Sequence, residues 1–569
     1  MKIKKLLISG LLVTAVSATT MGQAEGFFSK LFGGNSSGVD FKTMLSHVPA
    51  DTPYMFTISK PIPSKVMDFH IKRGQEMFSA ISKMEKKTTS NKVEEDGSSA
   101  FFKAIVSELG EKIENGKFEE TGLSLKATSI VYGYKQMPVV RMSIADKDKV
   151  MELLKRAEDE SGFKMKVDKC GKHECFKSQS KNKGSDFTLI LFKNELVASV
   201  FSKDNEKDMI SHLTGEADPK ESYSVDKWNT FLKDNSYTGF GDGFVNLKKL
   251  YDDNRADIAT GFFSVNKKSK LKISDEQKEA CTGVIDDHIN NIPEIIFGTK
   301  KLEEKNMDYE MVFKTSTGVS DVLQGLANKT NISKRSADPI FDMGFNLDFK
   351  KTSAAMTTYS NFLIESAEKN KCEAIKPKDI RKSMGGMMLV MNMGLSQFKS
   401  LYLSIDDIKI NNKMKPEKID AMLSIGADDP AGLIAMASMM VPPLGQLKIP
   451  EDGTPVKLPT GVIPSRGMPL PPLSISRSKD SINIMMGNDK PNLVDYKNEV
   501  PELMSFAMDG KRYYEVIINV MKSLPVTKGK DETDDVTKMM ETMGSMMGKI
   551  KQEITADKRG LVVNYHVQY

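Results

Sequence analysis

The stretch FTLILFKNELVASVFSKD, Phe187 to Asp204, returns late in the chain as LSISRSKDSINIMMGNDK, Leu473 to Lys490. In the first copy Leu189 and Leu191 lead into Lys193, Asn194 and Glu195, and Leu196, Ala198 and Val200 follow at alternate positions. That is the pattern of two strands joined by a tight polar turn. In the second copy Leu473 and Ile475 precede Ser478, Lys479 and Asp480, after which Ile482, Ile484 and Met486 alternate with Ser481, Asn483 and Met485 in the two-residue strand period. A hairpin present twice constrains the chain to a design built twice.

The remaining segments keep the same order. Near the start, HVPADTPYMFTISKPIPSKVMDFHIKRGQEMF gives a strand at Tyr54 to Ile58 and a helix opened by Pro63 and running through Val66, Phe69 and Met77. The second copy restarts at SADPIFDMGFNLDFKKTSAAMTTYSNFLIESA, with Ala337, Asp338 and Pro339 echoing Ala50, Asp51 and Pro53. Leu123 to Tyr134 and Met137 to Ala145 read as two strands, followed by a helix capped by Asp146. Their counterparts are LYLSIDDIKI and KIDAMLSIGADDPAGLIAMASMM, where Asp428 and Pro430 again open a helix. After each hairpin come helices and a strand leading into Lys248 to Tyr251 or Lys511 to Tyr514, and each copy closes on a strand, at 301–315 and 553–569. The expected fold class is therefore α+β: two tandem related halves, 45–315 and 336–569, each a mostly antiparallel sheet with packed helices, joined by a linker at 316–335. Two segments break the symmetry: the polar run Lys86 to Ser99, read as a loop, and the Pro-rich loop 441–472, which is too long for a simple connection and is either a functional loop or a covering arm.

The first 24 residues read as a secretory signal peptide, with Lys2, Lys4 and Lys5, an apolar run from Leu6 to Ala18, and small residues suited to cleavage after Ala18 or Ala24. No cysteine lies there to accept a lipid. A flexible mature N-terminus follows at 25–44, in which GFFSKLFGG is too short to anchor the protein to a membrane surface alone. Beyond the leader no run of about 18 uncharged apolar residues is present, so no transmembrane helix is expected in the mature chain. Lys and Arg exceed Asp and Glu by only five, which gives no field for nucleic acid. Periplasmic export is the expectation, with the outer membrane as the alternative, because VVNYHVQY at the terminus resembles the final strand of an outer-membrane barrel.

Four cysteines are carried into that oxidising compartment: Cys170, Cys175, Cys281 and Cys372. Cys170 and Cys175 flank GKHE between two strands and are expected to bridge. Cys281 and Cys372 either bridge over a long loop or remain buried thiols. Cys170, His173, Glu174 and Cys175 would suit zinc only if both thiolates stayed reduced.

The common catalytic patterns are missing: there is no GxSxG, no HExxH, no Walker A loop and no CxxC. Ser-x-x-Lys occurs at Ser224/Lys227, Ser264/Lys267 and Ser476/Lys479 without the partner motifs that give it meaning, and GFGDG at Gly239 to Gly243 starts a strand and reads as a bend. No catalytic, cofactor-binding or metal-ligating residue is assigned. Methionine is the compositional oddity, 37 in all, clustered at 383–394, 436–440 and 538–549. Such side chains fill helix cores, form adaptable apolar surfaces or, as thioethers, bind copper(I).

The opening VPADTPYMFTISKPIP resembles the start of a group of uncharacterised exported bacterial proteins whose mature domain opens with a similar phrase. That resemblance implies an exported envelope protein and no site residues. The expected function is a non-enzymatic periplasmic binding or envelope-maintenance protein, with a lipid or an envelope protein as partner. A hydrolase whose active site assembles only in the fold is one alternative, and an outer-membrane-associated protein is another.

Overall fold

The computed structural model describes residues 40–67, 69, 73, 97–124, 127–135, 137–178, 186–201, 203–217, 219–264, 275–328, 331–334, 338–392, 397–410, 416–459, 471–487, 494–497, 501–523, 537, 540, 541, 544 and 547–569. The expected leader, most of the polar run 86–99, residues 460–470 of the Pro-rich loop and most of the Met cluster at 538–549 lie outside these residues. The chain is mixed helix and strand. Two compact units divide it, one holding the described residues up to Asp257 with Glu294–Tyr309, the other Ile258–Pro293 with Glu310–Tyr569. Apart from a two-stranded ribbon, the described strands belong to one antiparallel sheet.

In the first unit the strands are β1 (Tyr54–Ile58), β2 (Ser129–Tyr134), β3 (Met137–Ser143), β4 (Lys166–Cys170), β5 (His173–Lys177), β6 (Asp186–Leu191), β7 (Glu195–Phe201), β8 (Phe240–Asn246) and β9 (Glu294–Leu302), and β10 (Asn306–Lys314) follows β9. Adjacent antiparallel pairs give the order β4-β5-β6-β7-β3-β2-β1-β8-β9. β1 lies centrally and is buried on both sides, at Tyr54, Met55, Thr57 and Ile58, which is why YMFTI shows no polar alternation. β2 is shorter than the apolar run suggested, because the chain first makes a 3₁₀ turn at Phe118–Thr121 and reverses at Gly122, φ +76°. A Cβ on Gly122 would overlap backbone at Asp146 and Val150, so the turn can seat against the start of the next helix only as glycine.

That helix, Lys147–Ser161, is capped by Asp146, whose carboxylate accepts from the amides of Asp148 and Lys149. Such a cap contributes about 1 kcal/mol. Val150, Leu153, Leu154 and Ala157 recur at helical spacing and are buried. With Phe101, Ala104 and Leu109 of helix Gly97–Glu114 they cover one face of the sheet, at Met142, Ile144, Phe176, Leu189 and Leu191.

The second unit contains β11 (Asn331–Lys334), β12 (Phe341–Phe345), β13 (Phe398–Ile410), β14 (Pro416–Ala427), β15 (Val456–Lys457), β16 (Leu473–Arg477), β17 (Ser481–Met486), β18 (Val494–Lys497), β19 (Glu502–Asp509), β20 (Lys549–Asp557) and β21 (Gly560–Gln568). Here the pairings read β15-β16-β17-β14-β13-β12-β19-β20-β21, with β11 and β18 forming the separate ribbon. The turn between β16 and β17 is closed by Ser478, whose Oγ accepts from the amide of Ser481 at 3.1 Å.

One face of this sheet presents Ile425, Ala427, Ile475, Ile482 and Ile484 to Leu433 and Ile434 of helix Pro430–Met440. Leu447, Ile449, Val456 and Leu458 complete the cover, so the described part of the Pro-rich stretch is a covering arm, and β15 ties it to the edge of β16. The alternate positions on β13, β14 and β17 give the opposite face, where Ser404, Ser424 and Asn483 are buried beside Tyr402, Met422 and Met485. Tyr402 donates from its hydroxyl to buried Asp342 at 3.0 Å. Away from the sheet, helices Asp275–Asn291 and Phe349–Lys369 meet around Cys281, Val284, Ala367 and Cys372.

Candidate functional site

Burying a charge is costly unless it is paired, so buried ionisable groups mark positions where the fold has accepted that cost. In the first unit Arg141 interrupts the apolar run of β3, and its side chain is 2% exposed. The guanidinium donates from Nη1 to both carboxylate oxygens of Glu195 at the head of β7, 3.2 Å each, and from Nη2 to the backbone carbonyls of His212 (3.3 Å) and Leu213 (3.1 Å). Those carbonyls close helix Glu206–Leu213, whose last-turn carbonyls have no partners within the helix, so Arg141 acts as a cap on the opposite face from the Met142 core.

Tyr132 joins the network. Its hydroxyl lies 2.8 Å from His212 Nε2 and receives Arg141 Nε at 3.4 Å, while the His212 ring stacks on Tyr134 at 3.6 Å between centroids. Burial and the Arg141 charge pull the His212 imidazole down to about 4, and burial pushes the Tyr132 phenol up to about 12. At neutral pH both are therefore uncharged. Arranged this way, the four side chains hold β2, β3, β7 and one helix together.

A second buried group sits in GFGDG. Gly239 (φ +93°) and Gly241 (φ +72°) take conformations that L side chains rarely adopt, and the β1–β8 register breaks opposite them, between Thr57 and Ile58. The bend expected there is a β-bulge, and it turns Asp242 fully inward, at 0% exposure. Asp242 Oδ1 accepts from the amide of Thr299 at 2.8 Å, whereas Oδ2 has no hydrogen-bond partner among the described residues. Burial pushes this carboxyl up to about 7, against the opposing effect of the amides of Thr299, Gly239 and Phe240.

In the second unit the feature that stands out is apolar and exposed. Helix Pro430–Met440 opens with Asp429 accepting from the amide of Gly432 and buries Leu433, yet it ends with Met436, Met439 and Met440 at 39%, 83% and 85% exposure. After half-buried Val441, Pro442 and Pro443 are exposed too, in a 3₁₀ turn from which the covering arm departs. The tip is a short run of apolar side chains facing water.

The residues singled out in the sequence take the following places. Cys170 bridges Cys175 across the β4–β5 hairpin with Cα atoms 5.7 Å apart, and Cys281 bridges Cys372 at 4.6 Å. The β4–β5 turn is tighter than GKHE: Cys170 pairs with His173, and only Gly171 and Lys172 turn, Gly171 at φ +60°. With both sulfurs in the bridge no thiolate is left for zinc, and His173 packs edge-on against Phe192. Ser224 caps helix Val225–Asn235 through the amide of Lys227, whose ammonium lies over the Tyr223 ring, so this Ser-x-x-Lys pair has a structural task. Ser476 is buried and accepts from Asn483. Lys267 lies outside the described residues. Sequence reasoning missed Arg141, Glu195, His212 and Asp242. The available signal was Arg141, a lone charge inside VVRMSI.

Comparisons with family models, with curated proteins and with solved structures found no match for this chain.

Proposed function

We propose that this chain is an exported, non-enzymatic binding protein of the bacterial cell envelope that docks an apolar segment of an envelope protein partner on its Met/Pro tip. The observation that carries this reading is the exposure of Met439 and Met440, at 83% and 85%, at the end of a helix whose Pro430, Leu433 and Ile434 are used for packing. Long, unbranched thioether side chains adapt to varied apolar partners at little cost in strain. A protein partner suits the tip better than a bilayer, since two methionines and two prolines bury too little area to hold a protein of this size at a membrane.

Export is supported by the leader-like start and by the two disulfides, which persist in oxidising compartments. Among the described residues no helix is long and apolar enough to cross a membrane. Internal duplication is supported by strand order: β5-β6-β7-β3-β2-β1-β8-β9 in one unit corresponds step for step to β15-β16-β17-β14-β13-β12-β19-β20 in the other. The helix after β3 and the helix bearing the tip occupy corresponding places in that order, so the tip belongs to one copy of a shared scaffold.

The test is site-specific photo-crosslinking in cells, with the photo-reactive residue at position 440 and, as control, at exposed Val167 of β4. A protein-sized adduct at 440 and none at 167 supports the reading. An adduct with lipid alone overturns the protein partner, and no adduct at 440 overturns docking altogether.

A further inference from the structure

The tip has a chemistry that docking does not use. A thioether is a two-electron reductant, and its susceptibility follows solvent access. Most described methionines whose environment is closed cannot meet an oxidant: Met44, Met55, Met209, Met422 and Met485 are between 0% and 1% exposed. Met439 and Met440 stand at the opposite extreme, adjacent in sequence and both more than four-fifths exposed, with Met436 one helical turn before them.

We infer that Met439 and Met440 form a methionine-oxidation site at which peroxide-class oxidants switch the tip from apolar to polar. The sulfur lone pair attacks one peroxide oxygen, the O–O bond breaks, an S–O bond forms, and water leaves. Thioether sulfur is oxidised to sulfoxide while peroxide is reduced, so hydrogen peroxide and one methionine give one sulfoxide and one water with nothing left over. The product is polar and chiral, which removes the property that lets the side chain enter an apolar partner. This last consequence rests on the docking reading above; the oxidation site itself does not.

The experiment treats the mature protein with hydrogen peroxide and follows each methionine by peptide mass spectrometry. Met439 and Met440 are expected to gain oxygen at least about tenfold faster than Met44, Met55, Met209, Met422 and Met485, as their exposure dictates. Crosslinking from half-buried Val441, next to the pair, should then fall about tenfold or more after oxidation, the order of the loss when one buried apolar side chain becomes polar, and return after treatment with methionine sulfoxide reductases. The variant Met439→Leu/Met440→Leu keeps the apolar surface without sulfur, so it should crosslink like the parent before peroxide and equally well after it. Uniform oxidation rates, or peroxide sensitivity that survives in the leucine variant, would overturn the inference. If the untreated parent fails to crosslink, the docking reading falls, and the peptide rates still decide the oxidation site.

Discussion

Replacing Asp242 by Asn should make the protein more stable at alkaline pH and leave it nearly unchanged in acid. The carboxyl is fully buried in the β8 bulge and is pushed from 3.8 up to about 7 by that burial. The sign follows from linkage: a raised pKa means the folded state holds its proton where the unfolded state has lost it. The associated stability is complete below about pH 4 and declines as pH rises through about 7. Three units at about 1.4 kcal/mol each give about 4 kcal/mol lost at pH 8, against about 1.5 kcal/mol already lost at pH 5. An amide does not titrate, keeps an oxygen for the Thr299 amide, and matches the carboxyl in shape. The advantage of Asp242→Asn over the parent should therefore grow by about 2.5 kcal/mol between pH 5 and pH 8. Urea unfolding of both proteins at each pH measures it, and groups common to the two cancel in the difference. Growth below about 1 kcal/mol would refute the argument, since it would mean that Asp242 is ionised at pH 5 in the folded state.

His212 titrates in the opposite sense: its pKa is depressed to about 4, so stability is lost as pH falls from about 6.5 through 4, and His212→Gln should flatten that acid limb in the same unfolding assay. Arg141→Met leaves Glu195 buried without its guanidinium and should cost about 3–5 kcal/mol, whereas Arg141→Met combined with Glu195→Leu should recover at least half of that; losses that simply add in a double-mutant cycle would show that the pair is not coupled. Cys281→Ala with Cys372→Ala opens a 91-residue separation and should lower stability by about 4.5 kcal/mol, against about 2 kcal/mol for the Cys170–Cys175 pair, read as a difference in urea midpoint.

The hairpins at 187–204 and 473–490 were legible because a half-buried strand writes its face into every second residue, and β6–β7 and β16–β17 formed where that period lay. Asp146 was legible as a cap for a similar reason: its task is local, within three residues. The run Leu123 to Tyr134 misled because apolar residues also line a turn, and what divides them is Gly122 meeting the backbone at Asp146, a contact set by the tertiary fold. Arg141 and Glu195 lie 54 positions apart and His212 a further 17, so nothing in their spacing announces that one guanidinium touches all of them. The exposed tip was half legible. Clustered methionines were plain, but helical periodicity alone does not separate a core stripe from a surface one, and it is the arm from Leu447 onward that takes the place beside Leu433 and leaves the last turn of the helix in water.

The two strand orders also say where function should be sought. Matching β5 to β9 against β15 to β20 leaves strand order as the part the two units share. The differences fall around it. In the first unit the helix after β3 is sealed at its far end by Gly162, φ +70°, and the opposite face is locked by Arg141, Glu195, Tyr132 and His212. In the second, the corresponding helix runs out into Met439, Met440 and paired prolines, and its opposite face carries serines, Asn483 and the Tyr402–Asp342 bond in place of the arginine network. An exposed methionine pair contributes little to packing, and in water it is a cost that leucine would also carry without the oxidisable sulfur and that lysine would avoid. If docking is the reason the second unit carries that cost, as we propose, a crosslink from position 440 is where it must show, and its absence leaves the exposed pair without a use.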